Sequence, residues 1–161
     1  MIDNSIVRQY SLYKRFGKKL NDISERDYNK RYFDNNIQCL DIDSYNSSLH
    51  SAQQGHTMDA AIGIANNNKE EKKNLSLMLV ELRINCKSPK QLDASLLAAK
   101  LSYTKQLLGN EPPIHPYSYF VYNKNFFETI QTRFRSLRQG NKALSHAVLI
   151  DVDEFNHITA L

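Results

Sequence analysis

The chain has 161 residues, 41% hydrophobic and 24% charged, which is the composition of one globular domain rather than a disordered segment. The formal charge of +4 suits a phosphate-rich partner without demanding one. No run of about 18 apolar residues occurs, so no transmembrane helix is expected. The N-terminal stretch lacks the apolar core of a secretory signal, which gives a cytoplasmic protein as the default. Cys39 and Cys86 are far apart and form no C-x-x-C pair, so they read as small buried hydrophobes rather than zinc ligands.

In chain order, Ile6, Tyr10, Tyr13, Phe16 and Leu20 recur at helical spacing and predict an amphipathic helix, with Arg15, Lys18 and Lys19 among its basic residues. A shorter helix follows over Asp22–Phe33, with Ser24 as its N-cap. Ile37–Ile42 is a strand candidate, and polar Ser44–Thr57 reads as a loop. Asp59–Ala65 and Leu75–Ile84 then form two strands around the charged turn 66–74. The second is the most apolar run in the chain and predicts a strand buried on both faces.

Leu92, Leu96, Ala99, Tyr103 and Leu107 mark a helix face that Gly109 ends. Tyr117–Tyr122 is aromatic and β-branched, hence a strand. Phe126, Ile130, Phe134 and Leu137 mark a helix closed by Gly140, with Asn125 as a candidate cap. Ala147–Val152 is a last buried strand, and Asp151, Asp153 and Glu154 read as a solvated turn after it. The strand–helix–strand–helix–strand ending requires parallel pairing, and the hairpin before it is antiparallel. The fold class is therefore α/β: a mixed sheet flanked by helices in one domain over 1–161, with a helical segment at 1–34 and a core at 35–161.

Three residues carry the candidate chemistry. On a strand, Glu81 and Arg83 share one face while Val80, Leu82 and Ile84 take the other. Asp59 opens the partner strand, and the hairpin would bring it beside Glu81 or Arg83. Charges inside an apolar sheet are costly unless paired or bound to a metal. A plain ion pair between Glu81 and Arg83, with Asp59 a turn residue, is the alternative.

A strand-opening Asp, a hairpin, an apolar strand ending in Glu-x-basic and a following helix together resemble the PD-(D/E)xK nucleases. Here the pattern reads Met58-Asp59 and Glu81-Leu82-Arg83. The resemblance implies a restriction-endonuclease-like core in the order α-β-β-β-α-β-α-β. It also implies hydrolysis of phosphodiesters by a metal-dependent nuclease, on DNA in preference to RNA. Asp59, Glu81 and the Leu82 carbonyl would hold Mg²⁺ or Mn²⁺, and Arg83 would contact the phosphate.

The chain departs from that family at two positions. Met58 stands where the family has proline, at a position without chemistry. Arg83 stands where it has lysine, and arginine cannot serve as a general base. Gln53, Gln54 and His56 lie just upstream as accessory candidates, and Glu25 would supply a first-helix carboxylate. Arg133, Arg135 and Arg138, with Arg15, Lys18 and Lys19, would contact nucleic-acid phosphates. A homodimer would supply two sites for two strands. With arginine at the lysine position, the same scaffold also suits an inactive binding protein with a protein partner, of immunity or regulatory type. No nucleotide-binding glycine loop and no serine-hydrolase elbow is present.

Overall fold

A computed structural model describes residues 1–34, 36–49, 55–67, 73–110 and 112–160. The elements are α1 (Asn4–Gln9), α2 (Tyr13–Phe16), β1 (Gly17–Lys19), α3 (Leu20–Tyr28), β2 (Gln38–Asp41), α4 (Ile42–Ser48), β3 (Ala60–Asn67), β4 (Lys73–Arg83), α5 (Ala94–Leu108), β5 (Ser118–Tyr122), α6 (Phe127–Gly140), β6 (Ala147–Asp151) and α7 (Val152–Ile158). All six strands form one open sheet in the order β1-β2-β3-β4-β5-β6. The first four are antiparallel to their neighbours, and β4, β5 and β6 run parallel. This is the mixed α/β sheet that the hydrophobic pattern predicts.

The alternation along β4 divides the core. Leu77 and Leu79 join Val7, Leu97, Leu101, Phe120, Ile130 and Phe134 on the face covered by α1, α5 and α6. Met78, Val80 and Leu82 join Leu20, Ile23, Val121 and Phe155 on the face covered by α3 and α7. Glu81 therefore belongs by parity to the α5 side. On β3, Gly63 allows α1 to lie directly on the sheet: a Cβ there would collide with the Asp3 carbonyl oxygen and meet Ile6 Cβ at 2.8 Å.

Several local expectations are corrected. The first helix does not run through to Leu20. It breaks into α1 and α2, and Gly17–Lys19 becomes an edge strand because it finds β2 to pair with, Lys18 opposite Cys39. Ser24 is not a cap; it is buried inside α3 and donates from its hydroxyl to the Lys30 carbonyl at 2.5 Å. Part of the expected loop is helix α4, started by Asp41, whose carboxylate accepts from the Ser44 N–H at 3.1 Å. Asn125 lies inside a short 3₁₀ turn capped by Asn123 rather than capping α6. Asp151 likewise caps α7, so the last acids start a helix instead of a turn. No described helix is long and apolar enough to cross a membrane.

Candidate active site

The β3–β4 register opposes Ala60 to Val80, which carries Asp59 on to the level of Glu81 and Leu82. The contact is direct: the Leu82 N–H donates to Asp59 Oδ2 at 2.6 Å. Both acids are buried, Asp59 at 8% and Glu81 at 1% exposure. Burial, then the charge of Glu81, pushes the Asp59 carboxyl well above the ordinary aspartate range. Burial also pushes Glu81 up, against the pull of Lys100 and Arg83. The fold thus holds two carboxylates in a place that disfavours their charge.

Lys100 on α5 is the nearest counter-charge, with Nζ 2.6 Å from Glu81 Oε1. Arg83 stands off at 3.9 Å from the same oxygen and donates from Nη2 to the Gln91 carbonyl at 3.2 Å. Three buried polar atoms here have no partner among the described residues: Glu81 Oε2, Arg83 Nε and the Tyr122 hydroxyl. The Leu82 carbonyl, expected to serve an ion, accepts the Tyr28 hydroxyl at 2.5 Å. Burial, with Asp59 and Glu81 behind it, holds that phenol in its neutral form.

Two further acids reach Asp59. One carboxylate oxygen each of Asp27, Asp43 and Asp59 lies within 4.8 Å of the others. Asp43 is fixed by the Thr57 hydroxyl, which donates to its Oδ1 at 2.6 Å. Asp27 and Asp43 line an open cavity of about 750 Å³ together with Arg26, His56, Thr57 and Lys100. Asp59 and Glu81 lie just behind that wall.

Beside this group is a carboxylate of another kind. Asp41 at the end of β2 is fully buried, and its Oδ2 meets Arg26 Nη1 at 2.6 Å, Lys18 Nζ at 3.0 Å and the Ser44 hydroxyl at 2.6 Å. Burial alone would raise its pKa, but the Ser44 hydrogen bonds and the two cations hold it below the ordinary aspartate range.

Asp59, Glu81 and Arg83 are brought together, and exposed His56 lines the adjoining cavity. Gln53 and Gln54 lie outside the described residues. Glu25 is not part of the site: it pairs with Arg31 on the surface at 2.9 Å, and Asp27 on the same helix is the acid that faces Asp59. Lys18 is tied to Asp41, and Arg15 lies over the Phe16 ring, 5.1 Å from its centroid. Lys19 is exposed on the edge strand. Arg133, Arg135 and Arg138 are exposed on α6, Arg138 donating to the Ala147 carbonyl at 3.2 Å.

Sequence reasoning missed Asp27, Asp43, Arg26, Tyr28 and Lys100. Only Lys100 left a signal. It sits three residues after Leu97 and four before Thr104, on the buried face of α5, where a charge needs a partner. No protein-family model, no curated protein and no solved structure matches the chain.

Proposed function

We propose that the chain is a divalent-metal-dependent phosphodiesterase acting on DNA, built on a restriction-endonuclease-like core. The observation that carries this reading is Glu81 Oε2: an acceptor on a side chain 1% exposed, without a partner among the described residues, beside a second buried carboxylate. A purely structural ion pair would satisfy both oxygens. The donor set beside it fits a hard cation, because Asp27, Asp43 and Asp59 offer only oxygens, within 4.8 Å of one another. Burial raises both carboxyls, with the charge of Glu81 adding to it at Asp59, and a bound cation would favour their charged forms. When bound, Mg²⁺ or Mn²⁺ supplies Lewis acidity to the scissile phosphate.

The rest belongs to the chain. Lys100 takes the part expected of a lysine at position 83. Its compact ammonium is held at Glu81 and lines the cavity, where it can orient a water and stabilise charge developing on the phosphate. Arg83 positions the turn after β4 through the Gln91 carbonyl. The element order α3-β2-α4-β3-β4-α5-β5-α6-β6, with its antiparallel-then-parallel pairing, supports the proposed core apart from α4, which is inserted between β2 and β3. Both cysteines are free and buried, in keeping with a reducing, cytoplasmic compartment.

The test is cleavage of plasmid, linear and single-stranded DNA, and of RNA, in Mg²⁺ or Mn²⁺. The wild type should cut DNA, EDTA should stop it, and Glu81→Ala should lower the rate by about a thousandfold or more. Wild type that cuts nothing in either metal, or a folded Glu81→Ala that cuts equally well, would refute the proposal.

A further inference from the structure

Arg26 joins the two kinds of carboxylate. Its Nη1 is anchored on fully buried Asp41 at 2.6 Å. Its other two donor positions lie on Asp27: Nε 2.7 Å from Oδ1 and Nη2 3.2 Å from Oδ2. Asp27 is the outermost of the three clustered acids, its side chain 30% exposed, and it lines the cavity beside Arg26 itself. Both of its oxygens are therefore engaged by a guanidinium at the place where the donor set suits a cation.

A carboxylate oxygen shared between a guanidinium and a divalent cation forces two positive charges together. Asp27 serves one at the expense of the other. The guanidinium cannot simply leave, because Asp41 holds its far end. What changes is the partner of Nε and Nη2, two N–H donors that now lie on Asp27 in a side chain lining the cavity. That fork matches two oxygens of a phosphate. Lys18 sits on the same Asp41 oxygen at 3.0 Å, 40% exposed, and adds a second cation there.

We infer that Arg26 is a metal-linked phosphate clamp: Asp27 masks the fork while it is free, and releases it to a phosphate of the DNA strand when Asp27 turns to an ion. The inference rests on the divalent site proposed above. It deepens that reading by assigning the substrate a phosphate beyond the one being cut, so the substrate is a polynucleotide rather than a single-nucleotide diester. By linkage, ion and DNA raise each other's affinity by one factor.

A double-mutant cycle, read by fluorescence anisotropy of a fluorescein-labelled DNA duplex in EDTA, tests the clamp without ion or cleavage. Asp27→Asn imitates release and should tighten binding about tenfold. On an Arg26→Gln background the same change should give less than about twofold. A gain of equal size on both backgrounds means only that a negative charge was lost, and overturns the clamp. No gain from Asp27→Asn, or no DNA binding by any of the four proteins, overturns it as well.

Arg26→Lys keeps a charge for Asp41 and lacks the fork. It should behave as Arg26→Gln, and full retention of the gain in Arg26→Lys would count against the inference. In Ca²⁺, the wild type should bind DNA more tightly than in EDTA. Arg26→Gln should lose that increment, and Arg133→Gln on α6 should keep it. Failure of the nuclease reading would appear separately, as absent cleavage with the EDTA cycle unaffected.

Discussion

Asp41 and Asp59 stand at the ends of adjacent strands, Asp41 paired in register with Ala60, and the protein treats them oppositely. Asp41 accepts from two cations and from the hydroxyl and N–H of Ser44, and its pKa falls. Among the described residues, Asp59 accepts from the Leu82 N–H and has a neighbouring Glu81 with an unpartnered oxygen, and its pKa rises. The first is a completed structural ion cluster that starts α4 and ties α3 and β1 to β2. The second is an incomplete one among the described residues, and the proposed divalent cation would complete it.

The largest effect should come from breaking the completed cluster. Asp41→Ala leaves Lys18 and Arg26 without their common partner and removes the α4 cap. It should cost about 3–5 kcal/mol in chemical denaturation. The pH dependence follows from the sign of the shift. A carboxyl with a depressed folded pKa stabilises the fold above its ordinary range, and that stability is lost as pH falls through the folded value. Wild type should therefore lose stability in acid, and Asp41→Ala should lose less.

Next is Lys100→Met, which removes the main counter-charge of Glu81. Cleavage should fall about a hundredfold, and stability by about 2 kcal/mol at neutral pH. Because Glu81 is then uncompensated, this deficit should shrink as the pH is lowered and Glu81 protonates. A deficit that grows in acid would contradict the assignment of Lys100 to Glu81.

Asp59→Asn should do the reverse of Asp41→Ala. With a raised folded pKa, Asp59 favours the fold only in its neutral form, and that advantage is lost as pH rises from the ordinary aspartate range through the raised value. In the absence of metal, Asp59→Asn should stabilise the protein by about 1 kcal/mol at neutral pH, with the gain vanishing in acid. Cleavage should be lost at the same time, the separation of stability from activity expected of a site residue. Smallest of all, Arg83→Lys should change stability by less than about 1 kcal/mol, since it exchanges one exposed-side contact to the Gln91 carbonyl for another. It should also leave more activity than Lys100→Met.

The hairpin and the parallel half of the sheet were legible because their signals are local. Alternation along Leu75–Ile84 placed Glu81 opposite in facing to Leu82, and the hairpin put Asp59 beside them. The site's other members were hidden because they arrive by tertiary packing. Asp27 and Glu25 lie two apart on α3, on nearly opposite sides of the helix, and nothing in their types says which faces inward. Asp43 is positioned only because polar Ile42–Ser48 becomes a helix, which follows from the Asp41 cap rather than from helix propensity. The break before β1 was hidden for the same reason: Tyr13, Phe16 and Leu20 keep helical spacing, yet Gly17–Lys19 finds a better partner in β2.

The central claim is that the Asp59–Glu81 cluster is completed by a divalent cation while the Asp41 cluster is already complete. The most direct measurement is thermal unfolding at neutral pH with and without Mn²⁺, for wild type, Asp59→Asn and Asp41→Asn. At about a hundredfold excess over Kd, Mn²⁺ should stabilise wild type by about 2.7 kcal/mol, stabilise the weakened Asp41→Asn by a similar amount, and leave Asp59→Asn unchanged. No stabilisation of the wild type, or equal stabilisation of Asp59→Asn, would contradict the account.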